Sequence, residues 1–218
     1  MQLVGKNWNI FRYLADFSHL TSIIILLYKM LRQRSCAGIS LKTQVLYLIV
    51  FICRYYDGIF DPPLYNIIFK LFYITTSAIF VYLMRTRLNR TYNKKHDSFN
   101  IYLLIIISLP FGYFTSKYKE ISEILWTFSL WLESLAILPQ LFLLRRTQRI
   151  DLLSTDYIFF LGLYRLFYIL NWIRKSFVKN RTYPVVWTTG FIQTALYIDF
   201  LYYYLKAKIH GNEFELPI

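Results

Sequence analysis

Apolar residues run through this chain in seven long stretches, broken by short segments that carry most of the charge. The stretches cover about 9–30, 42–60, 64–84, 99–114, 120–144, 154–174 and 184–205. Each is near the roughly 20 apolar residues that an α-helix needs to cross a bilayer. Asp61-Pro62-Pro63 ends the second run, because the prolines cannot continue a helix. The fourth run is the weakest, being short and holding Pro110 and Gly112. The pattern predicts an all-α integral membrane protein with seven transmembrane helices, built as one transmembrane domain with a tail over 206–218. A shift of 114 residues lays Ile23, Leu27, Arg32 and Ser40 on Ile137, Leu141, Arg146 and Ser154. That match suggests a parallel repeat, three helices, a linking helix and three more, as small transporters have.

Composition agrees. Hydrophobic types make up 56% of the 218 residues and charged types only 17%, against about 25% charged in a soluble domain. Seven helices leave too little chain for a large domain outside the membrane. The net charge of +13 lies between the apolar runs. We read it as the loop charge that orients membrane helices, not as a nucleic-acid surface. The loops after the first, third and fifth runs, with the C-terminal tail, hold fourteen Lys and Arg, and the opposite side seven. The N-terminus is therefore expected in the lumen or outside, and the C-terminus in the cytosol. The first run lacks a small-residue cleavage site and reads as the first membrane helix. Cys36 sits in a basic loop and Cys53 in an apolar run, so no disulfide is expected.

Charges inside apolar runs need a reason, since each costs at least ~2.5–3.5 kcal/mol at mid-membrane on insertion scales. Arg12, Asp16 and His19 share one face of the first helix at i, i+4 and i+7. Arg54 and Asp57 are three apart at the end of the second. Glu123, Trp126 and Glu133 lie near one stripe of the fifth. Tyr164, Tyr168, Asn171, Trp172 and Lys175 line one face of the sixth, and Asp199 sits in the seventh. At 1.5 Å per residue, His19 is about 10 Å deeper than Arg12, and Glu133 about 15 Å deeper than Glu123. These depths predict a polar cavity open to the lumen. Arg12, Arg54 and Lys175 lie at its rim, and His19, Glu133 and Tyr164 at its floor. Three converging cations suit a ligand with several carboxylates, since arginine binds carboxylate bidentately. The competing reading is that Arg12–Asp16 and Arg54–Asp57 neutralise each other within their helices. His19 is either a structural hydrogen-bonder or, near Glu133, a group titrating between pH 5 and 8. Arg165 is equally a partner for Asp199 or Glu133 and a ligand contact. Lys70 lies where it can snorkel. No nucleophile–base, P-loop or metal-ligand pattern is visible, so neither an enzyme nor a metal or other cofactor is expected.

Longer motifs go further. Asn9-Ile10-Phe11-Arg12 and Asp16-Phe17-Ser18-His19-Leu20 resemble the start of KDEL receptors. So do Arg34-Ser35-Cys36-Ala37-Gly38-Ile39-Ser40, Arg54-Tyr55-Tyr56-Asp57 and Glu123-Ile124-Leu125-Trp126-Thr127-Phe128-Ser129. Ala136-Ile137-Leu138-Pro139-Gln140-Leu141, Phe159-Phe160-Leu161-Gly162-Leu163-Tyr164-Arg165, Gln193-Thr194 and Asp199-Phe200 continue the match over nearly the whole chain.

The resemblance implies a fold like that of SWEET and PQ-loop transporters, with two three-helix bundles and a linking helix. It implies a receptor of the endoplasmic reticulum and Golgi membranes that binds C-terminal Lys/His-Asp-Glu-Leu peptides of escaped resident proteins and returns them by retrograde vesicles. By the same resemblance Arg54 takes the peptide's terminal carboxylate, Arg12 its Glu, and the rim cation Lys175 its Asp. Glu123, Trp126 and Asp57 surround its Lys or His. Tyr164, Tyr168, Asn171 and Trp172 line the pocket, to which Tyr55 and Arg165 also belong. His19 becomes a proton sensor coupled through Tyr164 to Glu133, with binding tighter in the acidic Golgi. Asp199 takes a structural or transport role, and Lys206 and Lys208 engage the vesicle coat. Two departures stand out. Arg174-Lys175 replaces the family's Trp-Arg, and Asn212 and Glu213 stand where lysines are usual. A SWEET-type transporter is the alternative, but a neutral sugar gains little from three cations.

Overall fold

The computed structural model describes residues 9–58, 64–147, 152–179 and 183–210, with side chains left out at 152–155, 178–179 and 199–210. The described chain is helical with no strand. Its helices are α1 (Ile10–Arg32), α2 (Leu41–Arg54), α3 (Leu64–Arg85), α4 (Ile101–Thr115), α5 (Ile121–Leu135), α6 (Leu138–Thr147), α7 (Leu152–Lys179) and α8 (Pro184–His210). Among the described residues, three segments are long and apolar enough to cross a membrane: Ile10–Arg32, Leu64–Arg85 and Ile121–Thr147. Large apolar side chains such as Ile10, Phe17, Ile24, Tyr28 and Leu31 lie on the outside of α1. Exposed apolar surface on that scale marks a face covered by something other than water, and a bilayer supplies it.

Four boundaries differ from the sequence reading, one of them simply by length, since α7 runs on to Lys179 instead of ending near residue 174. α2 stops at Arg54 instead of near residue 60, and Gly58 follows with φ 81°, a left-handed conformation suited to glycine. The fifth apolar run is two helices, α5 and α6, with Ala136 and Ile137 between them. Pro139 explains the break: it has no N–H to donate and its ring crowds the carbonyl four residues back. The next amide leaves the helical ladder, and Gln140 N donates to Thr43 Oγ1 at 3.0 Å. α8 runs on to His210, so Lys206 and Lys208 are helical, although their side chains are outside the described residues.

The chain forms two compact units, Met1–Arg34 with Thr147–Ile218, and Ser35–Arg146. In the first unit α1 packs along α7, and α7 along α8. Asn9 starts α1 by accepting from Arg12 N at 3.0 Å, the usual way to satisfy a first-turn donor. In the second unit α2 packs on α3 and α5, and α4 on α5. Ser40 caps α2 by accepting from Thr43 N at 3.1 Å.

A polar network ties the loops of the second unit to the start of α2. Asp97, 2% exposed, has Ser40 Oγ at 2.9 and 3.0 Å from its two oxygens. Tyr92 Oη donates to it at 2.6 Å. Gln140 adds bonds from Ser40 N and to the Gly38 carbonyl, both 2.8 Å. Burial, and then the bond to Asp97, push the Tyr92 phenol up from its ordinary value. A raised phenol stays protonated below its unfolded value, so this contribution is intact at neutral pH and lost only in strong alkali. Asp97→Ala leaves these buried donors without an acceptor. We expect it to cost about 2–4 kcal/mol, and Asp97→Asn less, as measured by thermal unfolding in detergent.

Candidate functional site

The first unit builds one polar seam between α1 and α7. Asn9 Nδ2 donates to Asn171 Oδ1 at 2.7 Å. One turn on, Arg12 Nε lies 3.8 Å from Asp16 Oδ2. The other oxygen of Asp16 accepts from Tyr168 Oη at 2.5 Å. Two turns deeper, the His19 imidazole stacks on the Tyr164 ring, centroids 4.4 Å apart and 12° from parallel. Gln193 Nε2, on α8, donates to Tyr164 Oη at 3.3 Å. The i, i+4, i+7 spacing of Arg12, Asp16 and His19 therefore meets the same spacing of Tyr164, Tyr168 and Asn171 on the facing helix. All three of Asp16, His19 and Tyr164 are buried.

Aromatic rings extend the seam along α7. Tyr168 lies 6.0 Å from both Tyr164 and Trp172. The Arg165 guanidinium sits 5.9 Å from the Tyr164 centroid and 5.5 Å from that of Trp172, within cation–π range. Gly190 on α8 leaves room for Trp172: a Cβ there would fall 2.4 Å from Trp172 Cζ3. Lys175 is half-buried and Arg174 exposed.

The second unit holds a second charged cluster, between α2 and α5. Arg54 Nη1 forms an ion pair with Glu133 Oε2, and Arg54 Nε donates to Ser129 Oγ at 3.1 Å. Ser129 Oγ in turn donates to the Trp126 carbonyl at 2.6 Å. The side chain of Glu133 is 3% exposed and that of Arg54 15%. A carboxylate this dry is stable only beside a cation.

The competing reading, that Arg54 and Asp57 neutralise each other, does not hold, and the expected rim cation Arg54 pairs with Glu133, expected at the floor. The helix ends at Arg54, Asp57 is exposed in the turn beyond it, and the guanidinium pairs across to α5. The intrahelical reading does hold for Arg12 and Asp16. Lys70 donates to the Gly58 carbonyl at 2.5 Å, in the turn beyond α2, and lies 6.0 Å from the Tyr55 ring. Tyr55 itself stacks on Phe51. Glu123 accepts from the backbone amides of Lys117 and Tyr118, both at 3.1 Å, and so closes the turn before α5. Trp126 is half-buried. Asp199, Lys206 and Lys208 lie outside the residues whose side chains are described.

Sequence reasoning missed Ser129, Gln193 and the Asp16–Tyr168 bond as parts of these clusters. Gln193 carried a signal, an amide in an apolar helix, which membranes tolerate poorly without a partner. Among the described residues no group of His, Cys, Asp or Glu could hold a metal ion.

The fold and these clusters define an all-helical membrane protein with paired charges inside its helix packing, the kind of position where functional sites of membrane proteins are sought. Comparison with known proteins says which kind it is. A family model described as ER lumen protein retaining receptor matches residues 35–175. The ER lumen protein-retaining receptor of Entamoeba histolytica is 44% identical over 213 residues, 96% of this chain and 99% of that one. That of Plasmodium falciparum is 45% identical over 215 residues, 96% and 97% of the two chains. ER lumen protein-retaining receptor 2 of Gallus gallus is 43% identical over 211 residues, 96% and 99%. The chain belongs to the ER lumen protein-retaining receptor family.

Proposed function

We propose that the protein is a receptor for the C-terminal Lys/His-Asp-Glu-Leu signal of escaped proteins of the endoplasmic reticulum, and that it returns them from the Golgi in retrograde vesicles. One observation carries the reading: two guanidinium groups face buried carboxylates, Arg54 in an ion pair with Glu133 and Arg12 3.8 Å from Asp16, in a chain whose relatives are named as receptors that retain proteins of the ER lumen. A guanidinium kept on a carboxylate is set up to exchange it for the carboxylate of a ligand.

In this proposal Arg54 takes the terminal carboxylate, Arg12 the Glu, and Lys175 or Arg174 the Asp. Lysine keeps the charge but lacks the bidentate fork, so the Asp contact is the weakest of the three. Asp57, Glu123 and Trp126 receive the Lys or His, and Tyr55 and Arg165 are further peptide contacts. Tyr164, Tyr168, Asn171 and Trp172 form the wall. His19, stacked on Tyr164, gains a proton in the acidic Golgi and favours the loaded state, coupled to Glu133. The N-terminus lies in the lumen and the C-terminus, with Lys206, Lys208 and the coat contact, in the cytosol. The seven spans form one transmembrane domain with a SWEET-type likeness. Asp199 has a structural or transport role.

The test is binding of a peptide ending in His-Asp-Glu-Leu to the purified protein at about pH 5.5 and about pH 7.4, either side of the reference histidine value. Binding should be tighter in acid and lost when the C-terminus is amidated, and His19→Ala should flatten the pH difference. Absence of binding at both values would leave a small-solute transporter, for which peptide-independent flux into proteoliposomes is the assay.

A further inference from the structure

We infer that Asp16 is a specificity-determining residue, an internal counter-ion that sets how strongly an acidic ligand side chain competes for Arg12. The inference rests on the proposal that Arg12 receives a ligand carboxylate.

The two oxygens of Asp16 are held unequally. Oδ1 accepts from Tyr168 Oη at 2.5 Å, a short bond to a different helix. Oδ2 lies 3.8 Å from Arg12 Nε, well beyond the 2.7–2.9 Å typical of a charge-assisted N–H···O bond. Tyr168 therefore anchors the carboxylate, and Arg12 feels it mainly as a nearby charge. Asp16 is 5% exposed, so water screens that charge little. It has two effects on an incoming carboxylate. It already satisfies part of the field of Arg12, and it repels the newcomer directly. An internal anion that Tyr168 holds beyond hydrogen-bond distance of the guanidinium thus lowers the gain from an acidic ligand while leaving room for a bidentate one to win. Selectivity is a difference between affinities, and Asp16 subtracts from the acidic side of that difference. It also keeps Arg12 from standing as an uncompensated buried cation while no ligand is bound.

Asp16→Asn separates charge from shape. The amide oxygen still accepts from Tyr168, and the helix is unchanged, but the negative charge is gone. Binding of two peptides, one ending in His-Asp-Glu-Leu and one in His-Asp-Gln-Leu, would be measured at one pH where the wild type binds. We expect Asp16→Asn to tighten the Glu peptide by roughly tenfold, the order for one unit charge several Å away at an effective dielectric constant near 20. The Gln peptide should change by about threefold or less, so the Glu-over-Gln ratio rises. Tyr168→Phe is the second variant. It frees Asp16 to close on Arg12 and should lower that ratio.

A ratio that is unchanged or falls in Asp16→Asn overturns the inference while the receptor reading stands. Equal losses for both peptides in Tyr168→Phe would do the same. A wild type that binds both peptides equally also overturns it, because no ligand carboxylate then reaches Arg12. A wild type that binds neither sinks the receptor reading itself.

Discussion

Arg54→Ala is expected to abolish peptide binding and to destabilise the protein at the same time. The guanidinium holds the Glu133 carboxylate and donates to Ser129 Oγ. Removing it leaves Glu133, 3% exposed, as a buried charge without this counter-ion, a loss of about 3–5 kcal/mol. A lost charged contact to the peptide terminus is worth about 2–5 kcal/mol, a fall of roughly 30-fold or more in affinity. A drop in both quantities would not by itself distinguish a binding role from a structural one. The double variant Arg54→Met with Glu133→Leu, read beside Glu133→Leu alone, does so. It removes both charges and fills similar volume, and such replacements of buried pairs are often neutral or stabilising. We expect thermal unfolding in detergent to return to near the wild-type value while peptide binding stays lost. Recovery of binding as well would show that Arg54 serves only the fold.

The second large effect concerns two glycines at helix contacts. A Cβ on Gly112 of α4 would lie 2.7 Å from Phe128 Cα and 2.9 Å from Phe128 N, on α5. Those are backbone atoms and cannot move unless the helices part. A Cβ on Gly190 would meet the end of the Trp172 side chain, which can rotate. Membrane helices rely on small residues of this kind for close approach. Overpacking costs about 1–3 kcal/mol and occasionally more. Gly112→Ala should therefore reduce thermal stability more than Gly190→Ala. Peptide affinity should show the reverse order, because Trp172 lies beside Tyr168 and Arg165 in the proposed pocket. Equal affinities in the two variants would remove Trp172 from the site.

Most of the helices were legible in the chain. A segment in lipid must bond its own backbone groups internally, so a long apolar run with polar ends specifies a helix without reference to the rest of the protein. The seam between α1 and α7 was partly legible for the same local reason. Arg12, Asp16 and His19 fall on one face by periodicity, as do Tyr164, Tyr168 and Asn171. The Arg12–Asp16 pair lies within one turn and needs no second helix.

Partner choice was not legible. Arg54 has Asp57 three residues away, yet it pairs with Glu133, 79 positions later in the chain. Helical spacing could not foresee this, because α2 ends at Arg54 and exposes Asp57. The break between α5 and α6 was signalled by Pro139, but only the fold shows that Thr43 receives the freed Gln140 amide. The network around Asp97 lay in loops with no periodicity to read. The local pattern set where the helices run and which faces are polar. The tertiary structure decided which buried charge meets which, because a desolvated ion is stabilised by whatever opposite charge lies nearest in space, and sequence distance carries no information about that.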